Sequence, residues 1–244
     1  MKYIKTLLAF AVFIASTFAA TTQAEISANI GISNNYLWRG LTQTTDEPAI
    51  SGGIDYTADS GFYAGTWVSN VQYASDDPFS YEHDIYFGFA GETGSVSYDL
   101  GYLYYNYNDD AEFDFSEVYG SIGISGFSAT LSLLHLTEPD EENHVDEDGG
   151  EANFGFGSAY YLSLDYGFDL DEDWSMALHI GYHDGDFVEA FNFDDGETYN
   201  YTDYSVSFAK DAFTFTVSRT DLDESPTSLN NDDLKFVIAY SIEI

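Results

Sequence analysis

The stretch that decides the fold is residues 234–244, which read LKFVIAYSIEI. Every second residue from Leu234 to Ile244 is apolar and mostly large, and the residues between them are Lys, Val, Ala, Ser and Glu. A β-strand points alternate side chains to opposite faces, so this stretch has one face of large apolar side chains and one face of small or polar side chains. The pattern therefore predicts a strand whose two faces meet different environments.

The same period of two recurs along the chain, as in residues 26–32 (ISANIGI), 96–102 (VSYDLGY) and 174–182 (WSMALHIGY). Strand boundaries read from such patterns are uncertain by a few residues at each end. The pattern predicts twelve strands, at residues 26–38, 48–58, 61–72, 80–91, 94–107, 113–125, 126–137, 157–169, 173–184, 199–209, 211–220 and 233–244.

Short and long connections alternate between these strands. Tight turns such as 58–61, 91–94 and 125–126 carry Gly, Ser and Asp, which favour turn conformations. Short turns at one end and long loops at the other are typical of an up-and-down antiparallel meander. The long loops are predicted near residues 39–47, 73–79, 108–112, 138–156, 185–198 and 221–232.

Composition excludes several functions. The chain has 244 residues, with 43 Asp and Glu against 6 Lys and Arg, for a formal charge of −37. Such a charge repels phosphate backbones, which argues against a nucleic-acid partner. The absence of Cys from the sequence rules out disulfides, thiolate metal sites and cysteine nucleophiles. No other motif predicts a metal site or a cofactor.

Residues 1–24 have the layout of a secretory signal peptide. Lys2 and Lys5 form a short basic start, and an apolar run from Leu7 to about Ala20 leads to small residues ending at Ala24. We therefore expect cleavage before Glu25 and an exported domain spanning residues 25–244.

Twelve amphipathic strands could form a soluble secreted sandwich or a closed membrane barrel. A face of Ser, Gly, Thr, Asn and Asp cannot form a hydrophobic core, whereas it can enclose water. An apolar face of Tyr, Phe and Leu on every strand is suited to lipid, and closure removes unpaired strand edges. The sequence therefore predicts an all-β, closed, up-and-down antiparallel transmembrane β-barrel of an outer membrane, with the soluble sandwich as the alternative.

Residues 35–44 (NYLWRGLTQT), 48–56 (PAISGGIDY) and 60–71 (SGFYAGTWVSNV) also resemble the opening of the TorF family of porins. The similarity covers about residues 26–120, and beyond that range only general barrel alternation remains. The resemblance implies a Gram-negative outer-membrane β-barrel that acts as a channel. It implies no particular substrate.

Strand parity predicts which side chains face the lumen. On the first strand the apolar residues are even-numbered, so the odd-numbered residues face inward. Aromatic residues near the strand ends are predicted to form a girdle at the membrane interface, with ordinary strand propensity as the alternative reason for their presence. These residues are Tyr36, Trp38, Tyr104, Tyr105, Tyr199 and Tyr201. The charged and titratable side chains predicted to line the pore are Arg39, Asp55, Glu82, Asp84, Asp99, Glu117, Asp165, His179, Asp203 and Lys235.

Two of these basic residues, Arg39 and Lys235, are expected at the outer ends of the first and last strands, which become neighbours when the barrel closes. Glu82, Asp84 and Glu117 are expected across the lumen. Opposed basic and acidic walls would create a transverse field at a constriction. The alternative is that Arg39 and Lys235 neutralise nearby acids and hold the seam. In either case the excess of acids predicts a preference for cations.

The predicted function is thus a porin for passive diffusion of small hydrophilic solutes, cationic or neutral. Expected partners are outer-membrane lipid and lipopolysaccharide. Acidic residues 140–151 are interpreted either as a hydrated loop or as a bridge to lipopolysaccharide phosphates through divalent cations, and the hydrated loop is favoured. One alternative is a non-channel barrel that serves as an adhesin or structural protein. A lipid hydrolase is disfavoured, because the predicted strand of the outward His135 carries no outward Ser.

Overall fold

The computed structural model describes residues 24–74, 76–141, 151–191, 200–222 and 231–244. Within these ranges twelve strands form one closed barrel, and two very short strands form a separate hairpin. The signal peptide predicted at residues 1–24 lies outside this part of the chain except for its last residue. So do Tyr199 and most of the acidic segment 140–151.

Each barrel strand pairs antiparallel with its neighbours in the chain. In chain order the barrel strands are β1 (Glu25–Ser33), β4 (Ala49–Thr57), β5 (Phe62–Asn70), β6 (Tyr81–Thr93), β7 (Val96–Tyr107), β8 (Phe115–Ile124), β9 (Phe127–Thr137), β10 (Ala159–Asp169), β11 (Ser175–Gly185), β12 (Tyr201–Lys210), β13 (Phe213–Thr220) and β14 (Lys235–Glu243). The separate hairpin consists of β2 (Leu37–Trp38) and β3 (Leu41–Thr42).

The barrel closes between its first and last strands. Ile30 of β1 lies opposite Ile242 of β14, while the other edge of β1 pairs with β4. Every barrel strand therefore has two hydrogen-bonded neighbours, which leaves no open sheet edge. The predicted fold class, a closed twelve-stranded antiparallel barrel, is confirmed.

The two faces of the barrel are inverted relative to a soluble protein. Outward-facing Ile26, Leu100 and Ile122 are 74%, 64% and 62% exposed, whereas inward-facing Asp84 and Ser132 are 0% and 1% exposed. Large apolar side chains on the outside and polar ones inside are the arrangement of a barrel surrounded by lipid. The sandwich alternative, which needs its apolar face in a shared core, does not describe this molecule.

The first strand is shorter than predicted, ending at Ser33 rather than at residue 38. The Asn34 side chain ends the pairing with β14. Its amide group donates to the carbonyl oxygen of Phe236 at 3.0 Å, and its Oδ1 accepts the Ile238 N–H at 2.7 Å. Because this side chain takes over backbone partners that a longer strand would use, the chain leaves the wall at Asn34.

Two further differences lie at the outer, long-loop end. The strand predicted from residue 113 begins at Phe115, and its pairing with β9 shifts register between Ser116 and Glu117, the signature of a β-bulge. The loop predicted at 185–198 begins with a short helix, α1 (Asp186–Phe191). No helix within the described ranges is long and apolar enough to cross a membrane.

The tight turn between β10 and β11 shows how the opposite, short-turn end of the barrel is built. The Asp171 carboxylate accepts the backbone N–H groups of Asp173 and Trp174 at 2.8 and 2.9 Å. These hydrogen bonds stabilise the ionised form and hold the pKa of Asp171 below its ordinary value. The carboxylate thus closes the turn by bonding to its backbone.

Candidate functional site

The loop that follows β1 folds back into the barrel as a small hairpin. Leu37 pairs with Thr42 and Trp38 with Leu41, leaving Arg39 and Gly40 as the two-residue turn. Their φ angles are 48° and 80°. Positive φ at both central positions is the type I′ arrangement, whose twist suits a tight hairpin. We call residues 34–48 the infolded loop and residues 37–42 its hairpin.

Polar side chains brace the infolded loop from within. The Thr42 hydroxyl donates to Asn35 Oδ1 at 2.7 Å, and Asn35 Nδ2 donates to Asp46 at 2.7 Å. The Thr44 hydroxyl donates to the Glu47 carbonyl at 2.6 Å. The loop therefore carries its own network of hydrogen bonds and keeps its shape away from the sheet.

Arg39, at the tip of the hairpin, contacts two strands of the barrel wall that are not neighbours. Its Nη2 lies 2.5 Å from Glu117 Oε2 on β8, and its Nη1 lies 2.8 Å from His183 Nε2 on β11. Because an arginine only donates, His183 Nε2 must accept, which places the imidazole proton on Nδ1, 3.2 Å from the Tyr201 hydroxyl. The guanidinium carbon lies 4.3 Å from the ring centroids of both Trp38 and Tyr161.

This environment compensates the cost of burying a charge, since Arg39 is only 7% exposed. A buried ion pair recovers its desolvation penalty only when its geometry is good and further bonds satisfy the remaining groups. Glu117 also accepts the Tyr105 hydroxyl at 3.2 Å. The hairpin tip is thus held by a carboxylate, an imidazole and two aromatic faces.

Aromatic packing fills the outer half of the lumen around this contact. Trp38 packs edge-on against Tyr105 at 5.9 Å and against His183 at 5.4 Å. Tyr36 packs edge-on against Trp67 at 5.3 Å. The buried apolar cluster inside the barrel includes Tyr36, Tyr105, Tyr107, Phe115, Leu134, Phe154, Phe187, Tyr201 and Leu222. The outer half is therefore constricted by protein.

Two acidic side chains lie next to each other along β6, beneath the infolded loop. The Glu82 carboxylate accepts the hydroxyls of Tyr36 and Tyr107 at 2.7 and 2.9 Å. Burial, reinforced by the nearby Glu82 and Asp84 charges, raises the pKa of Tyr36, so its hydroxyl remains a donor. For Asp84, neither carboxylate oxygen has a hydrogen-bond partner among the described residues.

The inner half of the lumen holds carboxylates bonded to tyrosines. The Tyr63 hydroxyl donates to Asp99 at 2.7 Å and forms a short hydrogen bond with the Tyr119 hydroxyl. The Tyr86 hydroxyl donates to Asp55 at 2.5 Å. Each tyrosine hydroxyl holds one carboxylate in place through one of its oxygens. The other oxygen of the carboxylate can then accept a hydrogen bond from a solute.

A second inner cluster surrounds His179. Its Nδ1 lies 2.6 Å from Asp165 and its Nε2 lies 2.9 Å from Asp203. The Tyr161 hydroxyl donates to Asp203 at 2.9 Å, which links this cluster to the ring that stacks on Arg39. In the described ranges no three His, Asp or Glu residues are arranged to hold a metal ion.

Nine of the ten predicted lumen residues lie on barrel strands, and Arg39 lies on the hairpin instead. Arg39 does not lie beside Lys235 at the outer end of the first strand, as expected, but both residues neutralise acids, as the alternative proposed. Lys235 bonds to Asp46 of the infolded loop at 2.8 Å, and Arg39 crosses to Glu117. Because the chain leaves the sheet at Asn34, Arg39 reaches across the lumen and forms an ion pair with Glu117. The basic and acidic side chains are therefore in contact, whereas the sequence predicted an open space between them.

The predicted interfacial girdle is also wrong for four aromatic residues. Tyr36, Trp38, Tyr105 and Tyr201 point into the lumen, and Tyr36, Tyr105 and Tyr201 are 4%, 2% and 1% exposed. Parity along β7 already places Tyr105 inward with Leu103 and Tyr107. Tyr36 and Trp38 point into the lumen because their loop folds inward, and strand periodicity does not predict the path of a loop.

His135 does have a serine nearby, on the neighbouring strand. Ser116 Oγ lies 3.5 Å from His135 Nδ1. Ser116 is 0% exposed, and its hydroxyl oxygen accepts the Leu136 N–H at 3.2 Å. A serine nucleophile must reach its substrate, and this serine is covered.

Replacement of Gly40 tests how the hairpin is seated. A Cβ at Gly40 would lie 2.6 Å from Thr220 Cγ2 and 2.7 Å from Asp203 Cβ, in a backbone with φ of 80°. We expect Gly40→Ala to lower the free energy of unfolding by about 1–3 kcal/mol, through backbone strain and overpacking. Urea-induced unfolding of the refolded protein measures it.

Gly94→Ala is the matched control, because Gly94 has φ of 67° and open space around the position of an added Cβ. It should cost only about 1 kcal/mol, from the backbone alone. Equal losses for the two variants would mean that Gly40 does not pack against the wall.

The sequence matches the model of one protein family over residues 17–237. The family is described as a bacterial protein of unknown function (Gcw_chp), and the chain belongs to it. No curated protein is similar enough to match this sequence.

Solved structures of outer-membrane channels match this fold over most of both chains, but their sequences are only distantly similar. The KdgM porin is 10% identical with a TM-score of 0.51, over 89% of this chain and 97% of the porin. An outer-membrane channel from Pseudomonas putida F1 is 10% identical with a TM-score of 0.50, over 93% of this chain and 97% of the channel. Similarity at this level of identity shows a shared barrel fold.

Proposed function

We propose that this protein is an outer-membrane channel for the passive diffusion of small hydrophilic solutes. The observation that carries the proposal is the inverted barrel, apolar outside and lined inside by carboxylates and hydroxyls. The signal peptide expected at residues 1–24 supports export to that membrane. The infolded loop forms the constriction, so that a solute passes between the hairpin and the wall or displaces the hairpin.

The lumen charge supports a preference for cationic or neutral solutes. Asp55, Asp99 and Asp165 line the inner half, where the Asp165 side chain is still 38% exposed. In the outer half Arg39 is already paired with Glu117. Carboxylates in a narrow, low-dielectric passage concentrate cations and repel anions.

The similarity to KdgM does not carry over to its solute. One KdgM structure is described as a complex with disordered oligogalacturonate, a chain of acidic sugars. Such a polyanion would meet the carboxylates of this lumen at close range. We therefore propose that the two proteins share an architecture and differ in the charge of the solute.

Neutralising the three outer carboxylates tests the selectivity. We expect the combination Glu82→Gln, Asp84→Asn and Glu117→Gln to move the reversal potential in a salt gradient toward that of a non-selective pore, because fixed negative charge sets the cation preference. Planar-bilayer recordings of refolded protein measure it. The control combines Asp59→Asn, Glu172→Gln and Asp211→Asn, which remove equal charge at the exposed turns.

An unchanged reversal potential in the lumen variant would reject the role of these carboxylates in cation selectivity.

The second candidate function is that of a non-channel barrel that acts as an adhesin or structural protein. The observation that favours it is the packed aromatic cluster in the outer half of the lumen. A refolded barrel without single-channel steps would support that candidate. In either case the acidic outer loops are proposed to contact lipopolysaccharide through divalent cations.

A further inference from the structure

Asp84 is a lumen carboxyl group whose polar atoms have no partner among the described residues. It is 0% exposed, and its two oxygens lack hydrogen-bond partners within the part of the chain that the structure describes. Ionising a carboxyl group in that position costs several kcal/mol, because the charge loses water and gains no partner within the protein. A site of this kind calls for a ligand.

Each neighbouring acid is already compensated. Glu82 accepts two tyrosine hydroxyls, Glu117 binds Arg39, and Asp203 binds His179 and Tyr161. The remaining basic residue of the outer lumen, Lys235, lies against Asp46. A cation brought into the lumen from outside this set would therefore stabilise the ionised form of Asp84.

The walls next to Asp84 are aromatic. Trp67 on β5 and Tyr105 on β7 lie directly opposite Asp84 in the two neighbouring strands. Their rings are covered by the infolded loop, since Tyr36 packs on Trp67 and Trp38 packs on Tyr105. The carboxylate thus lies between two aromatic side chains, beneath the constriction.

The protein itself shows which kind of cation such an arrangement holds. The Arg39 guanidinium binds the Glu117 carboxylate and lies 4.3 Å from two aromatic ring centroids. Guanidinium and alkylammonium groups bind to aromatic faces, where a carboxylate supplies the countercharge. The surroundings of Asp84 are similar to those of Glu117, since they combine a carboxyl group with two aromatic side chains, Trp67 and Tyr105. They differ in that no arginine within the described ranges binds Asp84.

We infer that Asp84, Trp67 and Tyr105 form a binding site for an organic cation of the guanidinium or alkylammonium type, carried by the solute. The inference rests on the proposed channel function and names the class of solute. Hard metal ions need several oxygen ligands, and no group of three His, Asp or Glu residues in the described ranges could hold one. The aromatic walls favour the organic cation.

Titration of the refolded full-length protein in detergent micelles tests the site. The probe is ethylguanidinium chloride, followed by tryptophan fluorescence because Trp67 borders the site. Ethylurea, of the same shape but uncharged, and sodium chloride at equal ionic strength are the comparison ligands. We expect saturable quenching by ethylguanidinium, and a dissociation constant raised about tenfold or more in Asp84→Asn, since a charge-assisted bond is lost.

Asp59→Asn removes the same charge at an exposed turn and should bind as the unchanged protein does. Trp67→Leu should weaken binding several-fold by removing an aromatic wall, measured by calorimetry, and it serves as the test if Asp84→Asn does not refold. Equal binding by Asp84→Asn and Asp59→Asn would overturn the inference. Equal competition by sodium would also overturn it, in favour of an inorganic ion.

Conductance measured on the same preparations separates this inference from the proposed function. Binding that depends on Asp84 without single-channel steps would leave the cation site standing and reject the channel. Steps without saturable binding of ethylguanidinium would keep the channel and reject the site.

Discussion

Removal of the infolded hairpin is expected to raise the single-channel conductance about threefold or more, because conductance depends on the narrowest part of a pore. The variant replaces residues 36–43 with Gly-Ser, which removes Tyr36, Trp38 and Arg39 from the outer lumen and keeps Asn35. Glu117 loses its arginine in this variant and gains access to water. Planar-bilayer recordings of refolded protein provide the measurement.

Deletion of residues 109–111 is the control for shortening a loop at the same end of the barrel. These residues form a short 3-10 helix in which Asp109 and Asp110 are exposed. The deletion should leave the conductance unchanged. If the two deletions gave the same conductance, the hairpin would not be the constriction.

A charge on the outer face of the barrel should be strongly destabilising. Leu164 is the sixth residue of the 11-residue strand β10, and its side chain is 54% exposed toward the outside. We expect Leu164→Arg to lower the free energy of unfolding by about 2–4 kcal/mol, the cost of arginine near the middle of a bilayer. Urea-induced unfolding of protein refolded into phospholipid vesicles measures the loss.

Ile26→Arg places the same charge on the same face, near the short-turn end of the barrel at the start of β1. Its cost should be only about 0–1 kcal/mol, because the penalty falls toward the membrane interface. If Leu164→Arg were as mild as Ile26→Arg, the apolar outer face would not be in contact with hydrocarbon.

The barrel could be predicted because its strands repeat one simple pattern. Along β14, for instance, Phe236, Ile238 and Tyr240 alternate with Val237 and Ala239, and the structure exposes the first group and buries the second. Parity also placed Glu82 and Asp84 on the inner face of β6, where both are buried. These properties depend only on local geometry, which a period of two reports directly.

The constriction could not be predicted in the same way. Trp38 and Arg39 follow the parity of β1, so periodicity alone extends the strand through them. Their true position depends on the Asn34 side chain and on distant partners such as Glu117 and His183. Gly40, which adopts a positive φ angle without steric cost, was a local signal for a turn, whereas Arg39, at φ of 48°, is not a residue that favours this conformation.

The contacts of the hairpin also bear on the order of assembly. Arg39 and its partner His183 are 144 positions apart in the chain, and Gly40 packs against Asp203 and Thr220 on strands that come later still. Contacts between such distant segments form only after the cost of closing long loops has been met. The hairpin can therefore reach its final position only once β11, β12 and β13 are in place, so a newly closing barrel passes through an unobstructed stage before its entrance narrows.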